Sequence, residues 1–276
     1  MDNTENNKIE NYKEAKDFGE MISYLKDDKN VIYVEMSEIE AAEILEKYNY
    51  INVITPFKHK FALKNKNDEV EKPNGKHIYP HPVDFKEYYD EYIGERSKYP
   101  TIIANILEFE SHFKSAITHA VLVERSEKIS NSDELISFLK TLQMRLAFTS
   151  YKEKRKTTMI EQIDNLIKNV LTYPNVFCFF DRISLGTLLT IYIGLDEVLQ
   201  NSVFKRLKKY NMHLNAEQVP HFISKAFALV DIRNCVMHCN SLEVLTRFYN
   251  TKEKTLRRDK NKKLYLSMVE YLEKEK

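Results

Sequence analysis

The residue types able to do chemistry concentrate near the end of the segment PHFISKAFALVDIRNCVMHC, residues 220–239, where Arg233, Asn234 and His238 stand together. A histidine titrates near neutrality and can move a proton to or from a ribose hydroxyl or a leaving oxygen. An always-charged guanidinium can hold a phosphate with two parallel N–H donors and offset charge that builds during reaction. An asparagine can orient the imidazole or bind the phosphate. Attack of a 2′-hydroxyl on the adjacent phosphate needs no metal, and the sequence has no carboxylate cluster to hold one. On a helix, Asn234 and His238 share one face a turn apart, and Arg233 lies about 140° from His238, within reach of a long side chain. The segment has an apolar stripe through Ile223, Ala226, Phe227 and Val230. The three polar residues continue that stripe, which predicts that they interrupt a core face, where leaving them unpaired would cost about 1–3 kcal/mol each.

Other candidates are weaker. The same kind of Arg-to-His spacing recurs at Arg206 and His213, but there it crosses a basic run, FKRLKKYNMH, at a predicted helix end. Glu110 and Lys114 sit four apart and read as an i,i+4 ion pair or as a substrate contact. Cys235, His238 and Cys239 offer three metal-ligand types without a fourth, so packing cysteines are expected and no metal. His77 and His81 read as solvated loop residues, and His112 and His119 as core or interface histidines. The run KEKTLRRDKNKK, residues 252–263, has seven basic and two acidic residues, net +5 (7 − 2). With Lys205 and Arg206 it could track phosphates, so Lys205, Arg206, Arg257 and Arg258 join Glu110 and Lys114 as candidate substrate-binding residues.

These side chains must be positioned by helices. Only 5 Gly and 7 Pro occur in 276 residues, which leaves little room for the dense turns of a sandwich or barrel and predicts an all-α fold. A net charge of +1 excludes a basic polyelectrolyte, so any nucleic-acid contact must be a local patch. Three clustered cysteines, no leader-like N-terminus and no clean apolar span predict a reduced, cytoplasmic chain with no membrane segment. Periodicity and capping signals place helices at 11–26, 38–48, from about 101 to 125, at 132–148, 151–172, 196–210, and from about 215 to 239, with a charged helical tail from 251. The Gly/Pro-bearing stretch 64–82 is the best boundary. The expected organisation is a helical extension over 1–64, a linker over 65–83 and a helical domain over 84–276.

The segment ALVDIRNCVMHCNSL (228–242) resembles the Arg-Asn-x-x-x-His signature of the HEPN superfamily, and specifically of its Abi-like (abortive infection, AbiD/AbiF-type) proteins. Three further stretches are similar to that family in the same order: NYINVITPFKHKF (49–61), ILEFESHFKSAI (106–117) and ISLGTLLTIY (183–192). Together they cover the chain from about residue 12 to residue 250. The sequence departs from the family where Cys235-Val-Met precedes the histidine and where Cys239-Asn-Ser follows it without the usual arginine. The resemblance implies a HEPN-type helical bundle in which a homodimer brings two Arg/His pairs across a cleft. It implies a metal-independent endoribonuclease that needs no cofactor and leaves a 2′,3′-cyclic phosphate. It implies a role in phage defence or as a toxin restrained by an antitoxin, a small RNA or a protein. Carried over, Arg233, Asn234 and His238 are the catalytic residues, and a Glu-x-x-x-Lys/Arg pair falls on Glu110 and Lys114. The alternative is a non-catalytic helical module that binds RNA or protein and uses the same polar residues at a dimer interface.

Overall fold

Three helices open on the same local device. Asp17, Ser37 and Asp84 each accept a hydrogen bond from the main chain of the first turn, while a glutamate three residues on (Glu20, Glu40, Glu87) returns to the cap's own N–H. This capping box satisfies donors that a helix start leaves open. It fixes α1 (Phe18–Lys29), α2 (Glu38–Tyr48) and α5 (Phe85–Arg96). Between them lie two single-turn helices, α3 (Tyr50–Val53) and α4 (Lys58–Phe61), in the aromatic stretch after α2. The computed structural model describes residues 16–66, 70–71, 77–243, 245 and 255–274, with side chains from 262 onward in the last stretch.

The chain divides into two compact units, Met1–Ser97 and Lys98–Lys276. In the first, Leu25, Leu45, Val53, Phe57, Phe85 and Tyr88 make the centre of a small core. α5 belongs to that core, so the observed division falls after Ser97, whereas the sequence boundary lay at 83/84. A two-residue parallel ladder, β1 (Val31–Ile32) against β2 (Val83–Asp84), pairs Val31 with Val83. It is a small addition to an otherwise all-α chain.

The second unit is built on α6 (Tyr99–His119), whose stripe of Ile102, Ile106, Phe109, Phe113 and Ile117 is buried as its periodicity predicts. A π-helical turn, Ala120–Glu124, continues it. Around it stand α7 (Ser132–Ala147), α8 (Glu153–Asn169), α9 (Val176–Asp181), α10 (Leu185–Gly194), α11 (Glu197–Lys209), α12 (Val219–Met237) and α13 (Thr255–Glu273). The centre is aromatic: Phe222 of α12 packs on Phe109 and Phe113 of α6, on Tyr192 of α10 and on Phe204 of α11, with ring centroids 5.5–6.2 Å apart. The Tyr99 hydroxyl donates to the main-chain oxygen of Asn240 at 2.7 Å, just past the end of α12. Since Phe222 near the start of α12 meets the middle of α6, the two helices run antiparallel. Buried Asn105 of α6 donates to the main-chain oxygens of Leu272 and Lys274 at 2.7 and 3.2 Å and so ties down the end of α13.

Asp84 carries more of the first unit than its size implies. Its carboxylate caps α5 at Lys86 N and also accepts from the N–H groups of Val34 and Glu35, at 2.8 and 3.0 Å. Burial alone would raise its pKa, but the three main-chain donors outweigh that and hold it below the ordinary carboxylate range. A carboxyl depressed on folding stabilises the fold above its unfolded pKa of about 3.9, and that contribution disappears as pH falls through the lower folded value. Asp84→Ala is expected to destabilise the first unit by about 2–3 kcal/mol through the lost cap and two orphaned N–H groups. Denaturant melts of wild type and Asp84→Asn between pH 7 and pH 2 check the linkage: the acid loss of stability should be smaller in the variant.

Candidate functional site

α12 carries apolar residues on two sides, and the bundle covers only one of them fully. Phe222, Leu229, Ile232, Cys235 and Val236 form the buried face. The stripe of Ile223, Phe227 and Val230, which the sequence pointed to as the core face, is the half-buried outer side, where only Ala226 is fully buried. Arg233 is half-buried, and Asn234 and His238 are exposed. The expectation that the three polar residues interrupt the core is therefore corrected. They continue an outward stripe, and the cost of burying three unpaired polar groups does not arise. The reason is that a helix touched by neighbours over a wide arc shows two apolar stripes, and periodicity alone does not say which faces inward.

The last turn is held rigidly. Asn240 N donates to Cys235 O at 2.9 Å and Cys239 N to Val236 O at 3.0 Å, the paired bonds of a Schellman cap with His238 as the capping residue. Cys239 takes the left-handed position at φ 55°, usually occupied by glycine. The Cys235 thiol donates to Ser241 O at 3.1 Å, and Tyr99 holds Asn240 O, so the chain leaving the helix is fastened on two sides. Within the triad, Arg233 Nη1 donates to Asn234 Oδ1 at 3.5 Å, and the His238 imidazole is open to solvent. The guanidinium thus lies against the asparagine, not curled back to the imidazole. Tyr99 and Asn240 were not singled out from sequence. Cys235, read there as a packing cysteine, is buried, but its bond to Ser241 O depends on a loop that only folds back in three dimensions.

The other candidate contacts lie elsewhere. α6 starts beside Asn240, and its 21 residues from Tyr99 to His119 span about 30 Å at 1.5 Å per residue. Lys114 therefore sits well toward the opposite end of the unit from His238. Its ammonium donates to Asp181 O at 2.6 Å, and it lines a groove of about 640 Å³ with Ser115, Thr118, His119, Phe177 and Cys178. No ion pair joins it to Glu110 among the described residues, and Glu110 Oε2 is buried without a partner there. At the π turn, Glu124 accepts from the Ser202 hydroxyl and from Arg206, which in that order lower its pKa, and His119 Nδ1 stands 3.3 Å from it. Arg206 Nη2 also approaches His119 Nε2 at 3.4 Å, so it is engaged at this end of the unit. Lys205 is exposed on α11. The side chains of Arg257 and Arg258, like those of most of the basic run 252–263, lie outside what the structure describes. His112 packs tilted against Tyr210, with centroids 5.6 Å apart. Among the described residues no cluster of His, Cys, Asp and Glu could hold a metal ion, and no helix is long and apolar enough to cross a membrane.

A family model described as Abi-like protein matches residues 43–242, from within α2 to just past the fastened end of α12. The chain belongs to the Abi-like protein family. The matched region contains the triad, the Tyr99 anchor and the Schellman cap of this Abi-like protein, and it stops before α13. Membership points to abortive-infection defence. Among curated proteins and solved structures, none matches the chain.

The cap itself is testable. A non-glycine side chain in the left-handed region is strained by about 1 kcal/mol, so Cys239→Gly is expected to stabilise the second unit by about 0.5–1 kcal/mol. Cys239→Val, β-branched at a positive φ, should destabilise it. Thermal melts of the two variants decide the sign.

Proposed function

We propose that this Abi-like protein is a metal-independent endoribonuclease of the HEPN type, acting in phage defence by abortive infection or as the toxin of a toxin–antitoxin pair. The observation that carries the reading is the presentation of Arg233, Asn234 and His238 to solvent on the last turn of α12, fixed from behind by the cap and the Tyr99 bond. A site acting on a polymer must be reachable, and its base must be held in place.

In the proposed reaction the His238 imidazole takes the proton of a ribose 2′-hydroxyl. The freed oxygen attacks the adjacent phosphorus, the bond from phosphorus to the 5′-oxygen breaks, and a proton is delivered to that oxygen. The products are a 2′,3′-cyclic phosphate and a 5′-hydroxyl end. Arg233 offsets the charge that accumulates on the non-bridging oxygens, and Asn234 holds the guanidinium toward the scissile phosphate. One imidazole cannot be base and acid at once without a proton exchange, so a second copy supplying the other histidine completes the site. Exposed Met237, beside His238 at the end of α12, offers apolar surface for that two-fold contact. The same surface favours the second reading, in which the polar residues serve only to hold two copies together.

The purified protein is expected to cleave single-stranded RNA in EDTA and leave cyclic phosphate ends. His238→Ala should abolish cleavage and growth arrest while changing stability by no more than about 0.5 kcal/mol, because the side chain is exposed. An alanine variant that cleaves at the wild-type rate overturns the mechanism. A wild type without nuclease activity whose dimer is lost on Arg233→Ala favours the second reading.

A further inference from the structure

The start of α8 meets the outer face of α12. The Arg155 guanidinium lies over the Phe227 ring at 3.9 Å and within 5.8 Å of the Tyr151 ring, and the two rings stand edge to face at 6.1 Å. Phe227 is seven residues before Asn234 and eleven before His238, so all three fall within about 20° of one face, and the ring stands about 10 Å and about 16 Å from them along the axis. Beside the stack, Lys152 and Lys154 are exposed and Lys156 is half-buried; with Arg155 and one acid, Glu153, the turn has a net charge of +3 (4 − 1). Among the described residues Glu153 pairs with Lys156, at 3.7 Å.

We propose that this aromatic–arginine stack and its lysines are a binding track for single-stranded RNA, leading along α12 to Asn234 and His238. The proposal rests on the ribonuclease reading for the direction of the track and the identity of its end. Three features select this ligand. A guanidinium seated over a ring, with its other side exposed, can receive a nucleobase there and offer its N–H groups to a phosphate. The neighbouring ammonium groups match a chain of phosphates, whose neutralisation releases counterions. A second copy of the protein is disfavoured as the occupant near a two-fold axis, because an interface folded on itself would set this cationic turn against its own mate. Of the basic segments weighed from sequence, Arg206 is engaged with Glu124 and His119, and most side chains of 252–263 lie outside what the structure describes.

The test separates binding from cleavage by using a 2′-O-methyl oligoribonucleotide, which has no free 2′-hydroxyl to attack. Anisotropy titrations of the full chain in rising NaCl are expected to show binding that Arg155→Ala weakens about tenfold. Arg155→Lys should recover only part of that loss, because an ammonium keeps the charge without the stack. Lys152→Gln with Lys154→Gln should reduce the slope of log K against log salt by about 1.4, about 0.7 for each charge removed. Arg155 is exposed, and thermal melts of each variant confirm folding. Unchanged oligonucleotide affinity in Arg155→Ala, or no binding by the wild type, overturns the track. A loss of dimer without a loss of affinity does so as well, and makes the surface a contact between copies. Binding that depends on Arg155 in a protein that never cleaves RNA keeps the track and removes the ribonuclease reading.

Discussion

The hydrogen bond from the Tyr99 hydroxyl to Asn240 O joins the first residue of α6 to the loop just past α12, 141 positions apart in sequence. It orients the two central helices antiparallel and fastens the end of α12 against the bundle. The Schellman cap and the Cys235 thiol act at the same place, and together they turn what could be a fraying helix end into a fixed platform. His238 is the capping residue of that platform. The position of the imidazole's backbone therefore follows from contacts made by Tyr99, Cys235 and Asn240, none of which belongs to the triad.

That constraint resolves a competition between stability and access. Buried polar groups are expensive unless paired, and exposed ones cost little but are ordinarily loose. Here the helix supplies order from beneath while the side chains face solvent. The cations that matter to the site are meanwhile divided between two places. Lys114 and Arg206 belong to the end where the π turn delivers Glu124 to His119. Arg155 lies over Phe227 on the outer face of α12, with its lysines on the same turn of α8. A short π segment is often a marker of local function, and in this chain it places a carboxylate where a regular helix would have carried it past the histidine.

Much of the fold was legible from sequence because its signals are local. The capping box at Ser37 and Glu40 placed α2, the spacing of Ile102, Ile106, Phe109, Phe113 and Ile117 gave the buried face of α6, and the scarcity of glycine and proline gave the class. The boundary between units was not, because α5 has an aromatic face whose partners, among them Phe57 and Leu45, come from a stretch with little periodicity of its own. Nor was the orientation of α12. Its stripe of Ile223, Phe227 and Val230 and its stripe of Phe222, Leu229 and Ile232 are similarly apolar, and only the neighbours decide which is covered.

By itself, the sequence determined that Asn234 and His238 share a face with Arg233 beside them, because 3.6 residues per turn is a property of the backbone and needs no partner. It also carried the ordered resemblance that the family match over 43–242 bears out. Tertiary structure alone decided that this face looks outward, that Arg155 lies on it, and that Lys114 and Arg206 do not. Those outcomes depend on contacts such as Tyr99 with Asn240 and Arg155 with Phe227, between residues dozens of positions apart. Short-range spacing does not encode which distant surfaces will meet.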